Sequence, residues 1–116
     1  MEEPTQIKEL KKLATALNLL TIPDNWKIVT MLKAAGKFIS YSEMYREMKR
    51  YFGKNYNPNR LWRNLKKLEE AGLIKSKRKL HVNPNTGKIS TCFYIISDYG
   101  KKVIDEYLEK IFSIIR

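Results

Sequence analysis

The chain has 116 residues, of which 43% are apolar, and this is enough for one domain with its own core. Lys and Arg number 23 against 12 Asp and Glu, and the net charge of +11 indicates a polyanionic partner. The longest unbroken apolar run, residues 92–96, is far shorter than the ~20 residues of a membrane-spanning helix. The N-terminus lacks the features of a secretory signal and the single Cys92 cannot form an intrachain disulfide, so we expect a cytoplasmic protein.

The positive charge is concentrated in the middle of the chain. Residues 57–90 contain nine basic and two acidic side chains, whereas residues 1–24 and 91–116 are almost neutral. Such a concentration is typical of a nucleic-acid-binding surface. A solvated, Lys-rich face without a partner is the alternative interpretation.

Two amphipathic helices are predicted before residue 37. The first covers residues 5–20, where apolar side chains recur every three or four positions. Its inward positions are Ile7, Leu10, Leu13, Ala14, Leu17 and Leu20. After a proline-containing break, Asp24 or Asn25 is expected to cap the second helix, which covers residues 26–35 and stops at Gly36.

A short extended segment at residues 37–39 precedes two further predicted helices. The third helix starts with the capping-box pair Ser40 and Glu43 and ends before Gly53. Its inward positions are Met44, Tyr45, Met48, Tyr51 and Phe52. The fourth helix covers residues 58–71 and starts with a capping asparagine followed by proline. Its inward positions are Leu61, Leu65 and Leu68.

From Leu73 the apolar periodicity changes to two, which predicts a β-hairpin over residues 73–96. The turn lies at residues 83–87, and the first strand alternates apolar positions with basic ones. The apolar positions are Ile74, Leu80 and Val82. Ser97 and Asp98 are expected to cap a last helix that covers residues 98–115.

The order of the predicted elements and two segments of the sequence resemble a winged helix-turn-helix domain. The segment LWRNLKKLEEAGLI at residues 61–74 resembles the recognition-helix signature of the MarR, PadR and ArsR groups of regulators. The segment ISDYGKK at residues 96–102 is similar to the start of the helix after the wing in MarR-like proteins. The resemblance implies a single α+β domain with a three-stranded sheet, a core at residues 24–97, and flanking N- and C-terminal helices.

The fourth helix has the side chains that a major-groove reader requires. If its leucines face the core, a polar side is left on the opposite surface of the helix. Arg63 and Asn64 suit guanine and adenine edges, whereas Arg60 and Lys67 suit phosphates. The candidate DNA-binding residues of this helix are Asn57, Asn59, Arg60, Arg63, Asn64 and Lys67. A solvated polar face is the alternative.

The hairpin, as the wing, provides a second set of candidate DNA contacts. The three lysines of its first strand share one face, and the arginine lies on the other. Contacts to flanking phosphates or to the minor groove are expected from Lys75, Lys77, Arg78, Lys79 and Lys88. Lysines also protect an edge strand from aggregation, which is the alternative. The loop before the fourth helix offers Lys54 or Tyr56 as a further phosphate contact.

No catalytic motif is present in the sequence. The four Gly-Lys pairs lack the second glycine and the Ser or Thr of a phosphate-binding loop. His81 has no second histidine for an acid–base pair or a metal cluster. We therefore expect neither an enzyme nor a bound cofactor, and the sequence leaves open whether a small-molecule effector controls binding.

These features predict a homodimeric, sequence-specific regulator of transcription that binds double-stranded DNA. The last helix is expected to form the dimer interface with help from residues 5–20, because its apolar residues repeat at a spacing of four, three and four. Those residues are Ile104, Leu108, Ile111 and Ile115. The alternatives are an architectural DNA-coating protein without base specificity and a winged-helix module for protein interaction.

Overall fold

The computed structural model describes residues 4–85 and 87–115, without the side chains of Asn83, Ile111, Phe112, Ile114 and Ile115. Five helices and three strands occur in this part of the chain. They are α1 (Thr5–Leu20), α2 (Pro23–Ala35), β1 (Ile39–Ser40), α3 (Tyr41–Phe52), α4 (Pro58–Glu70), β2 (Ile74–Asn83), β3 (Gly87–Ile96) and α5 (Asp98–Ile115). The predicted α+β class and the predicted three-stranded sheet are confirmed.

The sheet is antiparallel, with the strand order β1-β3-β2. The hairpin register runs from Ile74 opposite Ile96 to Asn83 opposite Gly87, and even-numbered residues of both strands therefore share one face. We call this the inner face, because Ile74, Tyr94 and Ile96 on it are buried against the helices. Odd-numbered residues form the outer face.

The core lies between the helices and the inner face of the sheet. Leu61, Leu65 and Leu68 of α4 are almost inaccessible to solvent, as their spacing predicts. Ile28, Val29 and Leu32 of α2 and the two methionines of α3 are buried with them. One side of α4 is thereby fixed against the core, and the other side is left at the surface.

The helix caps agree with the sequence at three of the four predicted positions. The side chains of Ser40, Asn57 and Ser97 accept backbone N–H bonds at the starts of α3, α4 and α5. The cap expected at Asp24 or Asn25 was wrong, because α2 begins at Pro23 and both residues lie buried inside its first turn. Proline suits this first position because it has no backbone N–H to satisfy.

Several apolar side chains predicted to face the core are exposed instead. Ile7 and Leu10 lie on the first half of α1, whereas the buried residues of that helix, Ala16 and Leu20, lie in its second half. Tyr51, near the end of α3, is also exposed. Periodicity identifies an apolar stripe but does not show how far along a helix the core extends.

Gly100 allows the start of α5 to touch the exit from α4. A Cβ atom at this position would lie 2.2 Å from the carbonyl oxygen of Leu73 and 2.9 Å from Cγ1 of Ile96. The neighbouring Ser97 hydroxyl donates to the carbonyl of Gly72 at 2.5 Å and accepts from the Gly100 N–H at 2.9 Å. The glycine therefore serves a close backbone approach within a helix.

We expect Gly100→Ala to lower the free energy of unfolding by about 2 kcal/mol or more because of this overlap. The change should destabilise although alanine favours a helix by ~1 kcal/mol over glycine. Urea unfolding measures the difference. Gly36→Ala is the control, since Gly36 has a φ of 63° but nothing within 4 Å of an added Cβ. Gly36→Ala should lower the free energy of unfolding by only about 1 kcal/mol, through backbone strain. An equal loss in the two variants would show that steric overlap at residue 100 is not the cause.

Candidate nucleic-acid interface

The polar side of α4 is exposed over most of its length. Asn59, Arg63 and Lys67 are exposed on the side opposite the buried leucines. Asn57, also predicted to contact DNA, is exposed, but its side-chain oxygen accepts the N–H of Asn59 at 2.8 Å as the helix cap. Five of the six predicted residues of this helix are therefore exposed, and Asn64 is half-buried.

Arg60 and Asn64 are turned towards a carboxylate of the protein itself. Asp24, on the first turn of α2, is fully buried. The Arg60 Nη2 atom lies 2.5 Å from Asp24 Oδ1, and the Asn64 Nδ2 atom lies 3.2 Å from Asp24 Oδ2. Asp24 therefore competes for the side chains of Arg60 and Asn64, but Arg60 is still exposed, and its contact to a phosphate and that of Asn64 to an adenine stay predictions. Helical spacing could not reveal this, because the acceptor belongs to another helix.

Tyr56 completes this group, which we call the Asp24 cluster (Asp24, Tyr56, Arg60 and Asn64). Its hydroxyl donates to Asp24 Oδ2 at 2.6 Å, and the residue is only 6% exposed. Burial raises the pKa of Tyr56, and the hydrogen bond to Asp24 raises it further, so the hydroxyl stays protonated and can donate. The predicted phosphate contact of Tyr56 was therefore wrong. The other candidate in this loop, Lys54, is exposed.

Two tyrosines of α3 fix the loop at residues 53–57 and the start of α4. The hydroxyl of Tyr41 donates to the carbonyl of Pro58, and that of Tyr45 donates to the carbonyl of Tyr56, both at 2.9 Å. The ring of Tyr41 also meets Trp62 edge-on, with centroids 6.3 Å apart. Side-chain contacts, rather than a tight turn, therefore set the angle between α3 and α4.

Two grooves lie between α4 and the inner face of the hairpin, one on each side of Trp62. The first, of about 340 Å³, is lined by Lys66 of α4 and Arg78 of β2. The second, of about 490 Å³, lies between Asn59 of α4 and Ser90 of β3. Trp62 and Lys66 were not predicted as site residues. Helical spacing could have identified Lys66 as a site residue, because it lies three residues after Arg63 on the exposed side of the helix.

The basic residues of the hairpin are divided between its faces. Lys75, Lys77 and Lys79 lie on the outer face, away from α4, and the Lys77 ammonium lies 4.0 Å from the ring centroid of Phe38. Arg78 and Lys88 lie on the inner face. The predicted alternation of faces agrees with the register, and of the five predicted residues only Arg78 and Lys88 lie on the face of the hairpin that is turned towards the helices.

The predicted dimer residues have different environments. Ile104 is fully buried in the core of its own chain, which removes it from a dimer interface and corrects the prediction. Leu108 is partly buried against the same core. The side chains of Ile111 and Ile115 lie outside the described part of the chain. Periodicity misassigned Ile104, because the stripe on α5 begins in the core.

The described residues contain no group of three His, Cys, Asp or Glu side chains that could hold a metal ion. Over the same residues, no helix is long and apolar enough to cross a membrane.

Comparison with known proteins identifies a likeness to solved structures. No protein-family model matches the chain, and no curated protein matches it either. It is similar to a solved structure from Thermoplasma acidophilum that is described as a candidate transcriptional regulator, with a TM-score of 0.57 and 20% identity. The similarity covers 79% of this chain and 87% of that one. At this level of identity, the two proteins share a fold.

We expect Asp24→Asn to lower the free energy of unfolding by about 1–3 kcal/mol, because an amide cannot accept all three hydrogen bonds of the Asp24 cluster. Chemical denaturation measures the change. Asp105→Asn is the matched control, since it removes the exposed ion pair of Asp105 with Lys33. An exposed pair is worth at most about 1 kcal/mol. Equal losses in the two variants would contradict a structural role for the cluster.

Proposed function

We propose that this protein is a winged-helix regulator of transcription that binds double-stranded DNA and places α4 in the major groove. The observation that carries the proposal is the exposed polar side of α4, with Asn59 and Arg63 in the half nearer its N-terminus. Helices of this kind make their base contacts near the N-terminal end. Glu69 and Glu70 occupy the other end, where they would repel phosphates if that end entered the groove.

The charge around α4 supports a nucleic acid as the partner. Lys67 is exposed on α4, and Lys66 and Arg78 face each other across the first groove. Such cations lower the free energy of a DNA complex by displacing counterions from phosphates. The fold shared with a candidate transcriptional regulator agrees with this assignment. The proposed location of the protein is the cytoplasm.

A homodimer is part of the proposal. Ile7 and Leu10 on α1 are 43% and 65% exposed, and α1 packs beside α5. Exposed apolar side chains on one helix stabilise an association when a second copy covers them. The proposed interface therefore includes the first half of α1 and excludes Ile104. A two-fold dimer would present two α4 helices to major grooves one helical turn, about 34 Å, apart.

An architectural DNA-coating protein is the second candidate, and the Asp24 cluster favours it. Because Asn64 and Arg60 are held by Asp24, fewer side chains remain to read bases. Selection of bound sequences from a random DNA pool separates the two functions. A recovered inverted repeat supports the regulator, unselective retention supports the coating protein, and no retention at low salt rejects both in favour of a protein-interaction module.

Arg63→Ala should cost about 1–3 kcal/mol of binding free energy on the selected sequence and little on random DNA, because a bidentate contact to guanine is lost. The preference at one base pair of each half-site should relax. Lys67→Ala is the matched control on the same helix face. It should weaken binding to all duplexes alike and reduce the slope of log K against log salt by about one unit. Equal weakening on both DNAs by Arg63→Ala would identify a phosphate contact.

The intact chain should have about twice the monomer mass of 13.7 kDa in light scattering. Replacing Ile7 and Leu10 together by Asp should give monomers, since two charges cannot be buried at an apolar interface without partners. Ile22→Asp is the control, because Ile22 is 40% exposed in the break between α1 and α2. It should leave the dimer intact. A monomeric wild type at micromolar concentration would remove the dimer from the proposal.

A further inference from the structure

The far end of the hairpin exposes two large apolar side chains. Leu80 and Val82 are 76% and 81% accessible, more than the other exposed large apolar residues described. The strand pattern predicts that both side chains face inward. They do lie on the inner face of the hairpin, but they are not buried there. The hairpin extends beyond the helices at this point, so the inner face has no core to cover.

The register gives this apolar pair cationic neighbours. Arg78 precedes Leu80 on the same face of β2, and Lys88 lies directly opposite Val82. Ser90, opposite Leu80, lines the groove beside Asn59 and Trp62. The pair is therefore flanked by two positive charges and lies on the side of the hairpin where α4 would meet DNA.

An apolar pair flanked by two cations is better suited to bind the minor groove of DNA than to bind an apolar protein surface. Proteins that open a base step insert apolar side chains into the minor groove and place cations at the phosphates on either side. An apolar partner protein would have to desolvate Arg78 and Lys88 without compensation. The phosphates that border a minor groove satisfy both charges.

The dimensions also agree. Ser76 lines the first groove, and Val82 lies six residues further along β2. At ~3.3 Å per residue, the distance between them along the strand is about 20 Å. The minor groove faces the protein half a helical turn, about 17 Å, from the major groove that α4 would occupy. The end of the hairpin can therefore reach the neighbouring minor groove while α4 stays in place.

We propose that Leu80 and Val82 form an apolar wedge that enters the minor groove beside the α4 site, partly unstacks one base step and bends the DNA. This inference rests on the proposed DNA-binding function and adds an activity to it, the deformation of the target. Because pyrimidine–purine steps unstack most easily, the wedge favours a TA or CA step at its position. The wing then contributes to sequence preference through the stiffness of DNA.

The test measures DNA shape separately from DNA binding. The probe is a duplex of about 40 base pairs, much shorter than the persistence length of ~150 base pairs, centred on the selected sequence and labelled at its two ends for energy transfer. A second duplex carries 2-aminopurine at successive positions beside the site. At saturation, the wild type should shorten the end-to-end distance and increase 2-aminopurine fluorescence at one step.

The variant Leu80→Ala with Val82→Ala should lose both signals and bind about tenfold more weakly, with an unchanged salt slope. Both side chains are exposed, so its unfolding curve should match that of the wild type. Lys77→Ala with Lys79→Ala is the matched control on the outer face. It should retain the full bend and the fluorescence change when saturated.

The outcomes separate this inference from the function on which it rests. If the wild type binds the duplex but leaves it straight and stacked, or if the Leu80 and Val82 variant bends DNA normally, the wedge is rejected and the regulator stands. If the variant changes from dimer to monomer in light scattering, the pair is covered by a second copy and the wedge is again rejected. If the wild type binds no duplex, the proposed function itself is rejected.

Discussion

A single buried carboxylate holds the candidate DNA-binding unit together. Asp24 is inaccessible to solvent and accepts hydrogen bonds from Tyr56, Arg60 and Asn64. A buried charge is tolerated only when it is paired and hydrogen-bonded, so the three donors must remain in place together. They come from α4 and from the loop before it, which ties both to the first turn of α2. The orientation of α4 follows from this constraint and from the leucines on its buried side.

The same constraint decides which side chains remain for a partner. Arg60 and Asn64 have the chemistry of base and phosphate contacts, but Asp24 engages them. Arg63, three residues after Arg60 and next to Asn64 in the sequence, has no contact with Asp24 and remains exposed. Fewer side chains of α4 are therefore free for the proposed DNA partner, and the inner face of the hairpin becomes correspondingly more important to the proposal. Arg78 lies between α4 and the rest of the hairpin's inner face, since it lines the groove beside α4.

The exposed apolar residues of the chain divide into two groups with different surroundings. Ile7 and Leu10 lie on α1, in the part of the chain whose net charge is close to zero, where a second copy meets less electrostatic repulsion than at the basic hairpin. Leu80 and Val82 lie between cations on the hairpin, where a second positively charged copy would be repelled and a polyanion attracted. Charge thus separates a proposed self-association surface from a proposed DNA-bending one, although both are apolar.

Local patterns were enough to establish the helices, the hairpin, three of the caps and the buried leucines of α4, because each depends on residues a few positions apart. The α+β class and the polar side of α4 followed from them. The partners of Asp24 lie 32 to 40 residues along the chain, and no periodicity encodes such a distance. For the same reason, the stripes on α1, β2 and α5 showed which way Leu10, Leu80 and Ile104 point but not whether a core lies there. Only the packing of the helices on the sheet decided where the core ends, and with it which polar and apolar side chains are left for a partner.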